Sequence, residues 1–160
     1  MDYQGQIVAL CDAVVGLISD APAGTFCKDF KVERLFVPIL DTTKISDEVA
    51  RLDVIPGSDS ESRVGGGAQG SFSGTYDVHL VLQQRVGAGP DAEAKIAQLM
   101  RLRGQLRDYF KRIAIEVDDE TQQFRAVLEA VDAPAPYVLG RLIEQNCFFS
   151  EVILAFKVVL

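Results

Sequence analysis

Apolar residues recur with a helical period in two long segments of the chain. In residues 4–19 they return every three or four positions, which places them on one face of a helix. A second helix is predicted from Pro90 to about residue 112, and a shorter helical turn at residues 138–143. The core stripe of the second helix consists of Ile96, Leu99, Leu102, Leu106, Phe110 and Ile113.

Five other segments alternate apolar and polar residues, a pattern that is typical of β-strands. They are residues 31–40, 48–56, 75–86, 122–131 and 147–160. Residues 41–44 supply the turn between the first two strands. The whole pattern predicts one α+β domain over residues 1–160, with a mostly antiparallel sheet of about five strands and two main helices packed on one face.

The strand at residues 147–160 is unusual because both of its faces are largely apolar. One face is formed by Val152, Leu154, Phe156 and Val158, which we expect to lie in the core. The second face is too apolar for simple solvent exposure. We therefore predict that it contacts another subunit, with Ile153 and Lys157 among the contact residues.

Residues 57–74 form a segment in which eleven of the eighteen residues are glycine or serine. Because this length exceeds a tight hairpin turn, we predict a flexible loop, or a loop that orders only against a partner. Arg63 and Phe72 are candidate contact residues within it. Residues 65–70 match the glycine spacing of a dinucleotide-binding loop, but a strand is predicted after them where that site needs a helix. We therefore expect no cofactor.

The composition disfavours several classes of site. A net charge of −7 argues against a nucleic-acid-binding surface, which needs lysine and arginine to displace counterions. The three cysteines are far apart and none pairs with the single histidine, so we expect neither a zinc site nor a disulfide framework. Asp12 and Gly16 interrupt the first apolar run, so we predict neither a membrane span nor a signal peptide.

Few polar residues suggest catalysis. Asp77 and His79 lie two positions apart on one strand face, so a small enzyme using this pair is one interpretation. A solvated or interface face that carries both residues is the other. The acidic residues between positions 116 and 120 are typical of a solvated loop, since they lack the spacing of a cation site. We predict no catalytic, cofactor or metal site.

The second helix combines its apolar stripe with a basic face. That face is formed by Arg101, Arg103, Arg107, Lys111 and Arg112. It is either a solvated surface or a surface for salt bridges between subunits. We take Arg101, Arg103 and Arg107 as candidate partner contacts.

The order of these parts resembles that of the tail terminator proteins, also called tail completion or neck proteins, of long-tailed bacteriophages. The resemblance covers nearly the whole chain. It rests on the strands VERLFVPIL and EVARLDVIPG, the long loop, the strand GTYDVHLVLQQRV, the helix AKIAQLMRLRGQLRDYF and the strand FFSEVILAFKVVL.

This resemblance implies a virion structural protein without enzyme activity. Such a subunit forms a homohexameric ring that caps the tail tube and joins it to the head-connector or head-closure protein. The ring would be assembled in the host cytoplasm, away from membranes, and would lie in the neck of the virion. Genomic DNA would pass its acidic channel without specific binding. The alternatives are another neck or baseplate subunit, a small enzyme, or a ligand-binding domain.

Overall fold

The computed structural model describes residues 3–64, 71–118, 123–133 and 135–159. The helices are α1 (Tyr3–Ser19), α2 (Pro90–Tyr109) and α3 (Leu139–Gln145). The strands are β1 (Phe30–Arg34), β2 (Ala50–Val64), β3 (Ser71–Arg85), β4 (Ala114–Asp118), β5 (Gln123–Asp132) and β6 (Cys147–Val159). The predicted α+β class is confirmed, with six strands and three helices in the described part of the chain.

The six strands form one mixed sheet in the order β1-β2-β3-β6-β5-β4. Every neighbouring pair is antiparallel except β1 and β2, which run parallel. The sheet curls around α1, which contacts β1 near one edge and β4 at the other. One face of the sheet, here called the inner face, packs against α1 and α2.

The predicted inward positions are confirmed. Alternate residues of β2, β3 and β6 are almost completely buried on the inner face, as the period of two requires. They pack with the stripe of α2, where Phe110 meets Phe156 edge to face at 6.1 Å between ring centroids. The Tyr76 hydroxyl donates to Gln6 Oε1 on α1 at 2.7 Å, so this buried polar group is satisfied.

The prediction of a strand at residues 31–40 is wrong beyond Arg34. Pro38 cannot donate to a strand ladder. Residues 35–49, here called the strap, instead lead the chain back to the start of β2. Because the strap returns in this way, β1 and β2 run parallel, where a simple turn would have made them antiparallel.

The prediction of a loop over residues 57–74 is also wrong for most of its length. Strands β2 and β3 continue through it and stay paired out to Val64 and Ser71. The antiparallel ladder pairs these residues with β3 except at Gly57 and Ser58, and this pairing outweighs the low strand preference of glycine and serine. Residues 65–70, with the dinucleotide-like spacing, lie outside the described residues.

A β-bulge bends this hairpin, because Gly57 and Ser58 together oppose Asp77 alone. A Cβ atom at position 57 would lie 2.5 Å from the His79 ring and 2.9 Å from the Asp77 carbonyl oxygen. Only glycine permits this approach, so the bulge depends on it.

Strand β4 was not predicted. Glu116 and Asp118 lie on its exposed side, where a solvated loop was expected, while Ile115 and Val117 are buried. The alternation is present in the sequence, but over only five residues. Residues 119 and 120, the rest of the predicted acidic loop, lie outside the described part.

Candidate interaction surfaces

The strap crosses the outer face of the sheet and is held there through its backbone. Gln83 Nε2 donates to the Ile39 carbonyl at 2.8 Å, and Arg141 donates to the Leu40 carbonyl at 3.2 Å. Further along the strap, side chains from β3 and α2 donate to the carbonyls of Ile45 and Asp47. Four backbone carbonyls of the strap are therefore bound from the protein side.

Some apolar side chains of the strap point the other way, although Ile45 is buried. Val37 and Leu40 are exposed, and so are three apolar residues of the α3 region. We call these five residues the apolar patch: Val37, Leu40, Val138, Leu139 and Ile143, each between 43% and 69% exposed. Apolar exposure concentrated on backbone that is fixed from beneath is typical of an interaction site.

Arg141 joins the two parts of the apolar patch. Its guanidinium lies 5.1 Å from the centroid of the Phe149 ring on β6 while it donates to Leu40 on the strap. The Val138 amide also donates to the Phe149 carbonyl at 2.8 Å, which fixes the entry to α3. The patch is therefore anchored at both ends to the central strand β6.

A buried polar layer lies on the outer face of β2. Asp53 is completely buried and accepts from Arg51 at 2.7 Å, and Arg51 also reaches Glu33 at 3.3 Å. Each buried charge thus has a partner of opposite sign, which is the condition for tolerating it. This layer fixes β2 against β1 near the point where the strap begins.

A groove separates α1 from the bulged hairpin. It has a volume of about 370 Å³ and is lined by Ile7, Val8, Phe36, Pro56, Gly57 and Asp59. Arg34 fixes the position of Phe36 in the groove wall. Its guanidinium lies 4.9 Å from the Phe36 ring centroid, and it also pairs with Asp12 at 2.6 Å. The groove borders the part of β2 that runs past β1.

Ile153 and Lys157, the predicted contacts on β6, lie on the outer sheet face, half-buried and exposed respectively. On the same face His79 Nδ1 lies 3.0 Å from Glu151 Oε1. Asp77 accepts from Ser58 Oγ at 2.7 Å instead. The proposed His79–Asp77 pair is therefore not formed. Sequence spacing along one strand missed Glu151, which reaches His79 from the adjacent strand.

Arg103 does not lie on an exposed basic face. It is only 9% exposed, and its Nε donates to Ser150 Oγ at 2.7 Å. Its Nη2 atom donates to the carbonyls of Ala133 and Ala135 at 3.3 and 3.1 Å. Burial lowers the pKa of Arg103, and the nearby Arg107 lowers it further. Position 103 follows the buried Leu99 by four residues, a helical spacing that places it on the core side.

The other cations of the predicted basic face differ in their partners. Arg107 and Lys111 both pair with Asp108, at 3.0 and 2.8 Å. Their hydrogen bonds lower the pKa of Asp108 to about 2. Arg101 is exposed and makes no ion pair within the described ranges. The exposed basic surface is thus smaller than predicted, and Arg101 is its best candidate contact.

Arg63 and Phe72 are register partners in the β2–β3 hairpin. Their side chains lie outside what the structure describes, so their predicted contact role stays a prediction.

Within the described ranges, no three His, Cys, Asp or Glu side chains are grouped to hold a metal ion. None of the helices there combines the length and apolarity that crossing a membrane requires.

The sequence matches no known protein-family model, and a search of curated proteins finds no relative with significant similarity.

Proposed function

We propose that this protein is a tail terminator subunit: a structural protein that forms a ring on the end of a phage tail tube. The observation that carries the proposal is the strap, whose carbonyls at Ile39 and Leu40 are bound inward while Val37 and Leu40 expose their side chains to solvent. An apolar surface that the chain itself fixes in place supports a role in assembly. The order of parts described above supports the phage tail as its setting.

The β2–β3 hairpin supports a second contact. Residues 55–64 of β2 run past the end of β1 and span about 30 Å at the rise of an extended strand. Strand β3 stays paired with β6 along residues 73–78, so this part of β2 is an edge of the sheet in the described structure. A strand edge of this length suits contact with the tail tube, which a terminator must recognise.

In this proposal the ring is a homohexamer of the neck, assembled in the host cytoplasm and acting without catalysis. One ring face binds the tube protein and the other binds the head-connector or head-closure protein. Genomic DNA passes the central channel, and the net charge of −7 limits its adhesion to the wall.

Tube growth in the presence of this protein tests the proposal. Purified tail tube protein is polymerised with and without the subunit, and tube lengths and ends are measured by electron microscopy. We expect rings on the tube ends and an arrest of elongation. Tubes that grow equally long with bare ends would contradict the proposal. Rings that bind only the connector would instead indicate a head-closure subunit.

A further inference from the structure

Each subunit has two different exposed surfaces on opposite sides of its sheet. The apolar patch lies with the strap and α3 on the outer face. The exposed side of α2 lies beyond the inner face, because α2 buries its stripe of Leu99, Leu102 and Leu106 against that face. A head-to-tail ring needs this arrangement, since each copy must contact one neighbour through each surface.

The exposed side of α2 is built for close approach. Met100 is exposed at its middle, and a Cβ at Gly104 would meet nothing within 4 Å in the described structure. A glycine inside a helix costs about 1 kcal/mol relative to alanine, and no contact within the described chain explains it. A partner that packs directly on the helix backbone would explain it.

The charges of the two surfaces are complementary. The strap and α3 together carry four carboxylates against two cations: Asp41, Asp47, Glu48 and Glu144 against Lys44 and Arg141. From the start of α2 to position 112, the outward charges are five cations against three carboxylates: Lys95, Arg101, Arg107, Lys111 and Arg112 against Asp91, Glu93 and Asp108. The strap with α3 is therefore net acidic and the exposed side of α2 is net basic, so the two surfaces have opposite net charge.

We infer that the apolar patch of one copy docks on the exposed side of α2 of the next copy, with Met100 and Gly104 at the centre. This contact rests on the proposed function, because it is the subunit contact of the ring. The five patch residues, each between 43% and 69% exposed, supply the apolar part of this contact. A standard interface takes roughly 800 Å² from each partner, so the charged residues around them must contribute area as well.

Two double variants test the inference. The patch variant carries Leu40→Asp and Ile143→Asp, and the helix variant carries Met100→Asp and Gly104→Gln. Val127→Asp is the matched control, since Val127 is equally exposed but lies on β5, outside both surfaces. Light scattering gives the mass of each, and circular dichroism confirms that each is folded.

We expect the wild type and the control to form the same oligomer. Each double variant should self-associate at least about 100-fold more weakly and run as the 17.5 kDa monomer. Mixing the two variants should restore one contact, because each retains the surface that the other lost. The product should be a 1:1 dimer that grows no further.

Three results would overturn the inference: a monomeric wild type, an unchanged mass in either double variant, or a mixture that stays monomeric. A symmetric dimer contact would give the last result. The tube assay keeps the two proposals separate. A wild-type ring that fails to stop tube growth contradicts the terminator function alone, whereas rings formed by the patch variant contradict only the docking surface.

Discussion

Arg103 shows, at the scale of single residues, how a charge becomes part of the interior. Its three hydrogen bonds join α2 to β6 and to the connector before α3. The partners are a hydroxyl and two carbonyls, so the cation is solvated by dipoles. The connector that leads to the apolar patch is thereby fixed from the core side.

Replacing Arg103 with methionine should therefore destabilise the protein by about 2–3 kcal/mol, because Ser150 Oγ and two carbonyls lose their donors. Urea unfolding measures the change. Arg101→Met on the exposed side is the matched control and should stay within about 0.5 kcal/mol of wild type. Equal stabilities of the two variants would contradict the assigned contacts.

Two glycines should respond in opposite directions to the same substitution. Gly104→Ala meets open space and should raise the free energy of unfolding of the monomer by about 0.5–1 kcal/mol. Gly57→Ala places a methyl group on the His79 ring and the Asp77 carbonyl and should cost about 1–3 kcal/mol. Thermal unfolding of both variants gives the comparison, and a stabilising Gly57→Ala would rule out the bulge geometry.

Cys11 should make stability fall at alkaline pH. Burial, followed by the neighbouring Asp12, raises the pKa of its thiol from 9.0 to about 12. Between those values the unfolded chain releases the proton and the folded chain keeps it, so unfolding becomes more favourable as pH rises. We expect Cys11→Ala to lose less stability than wild type between pH 9 and pH 11 in urea titrations. Parallel pH profiles would contradict the burial of this thiol.

At the scale of elements, the strap is the part of the fold that local pattern could not predict. Alternation correctly identified the inner faces of β2, β3 and β6, because one side of each strand is buried along its whole length. The strap has no such period. Its position depends on donors such as Gln83 and Arg141, which are far away in sequence. Side-chain contacts between neighbouring strands could not be predicted from the sequence for the same reason. The contact between His79 and Glu151 is an example.

The contribution of Arg141 to the stability of the strap can be measured. Arg141→Met keeps an apolar side chain over Phe149 but removes the donor to the Leu40 carbonyl. We expect faster amide hydrogen exchange in residues 36–41, with a loss of global stability near 1 kcal/mol. Arg125→Met, an exposed change on β5, is the control. Unchanged exchange in the strap would mean that this hydrogen bond does not fix it.

At the scale of the whole molecule, charge divides between the two faces of the sheet. The net charge of −7 repels like copies, whereas in the contact we propose the net basic side of α2 would attract the net acidic strap locally. Composition alone revealed only the first effect. The local attraction could be inferred only once the structure had shown that Arg103 is buried and that the strap lies across the sheet from α2.

Salt should therefore weaken self-association. Raising NaCl from 0.1 to 1 M shortens the screening length from about 10 to 3 Å and should increase the dissociation constant about three- to tenfold. Sedimentation at both salt concentrations measures this change. A variant with Arg101→Gln and Arg112→Gln should lose much of the salt dependence. Tighter association at high salt would instead indicate a purely apolar contact.

The strand order has a consequence for synthesis on the ribosome. Strand β6 follows the other five strands in the sequence, yet it lies between β3 and β5 in the sheet. A nascent chain that stops before Cys147 leaves β3 and β5 each with an unpaired edge and the two parts of the sheet unjoined. The anchor of the apolar patch, Phe149, is also absent from it. The anchored apolar patch can therefore form only after the strand that completes the sheet has been synthesised.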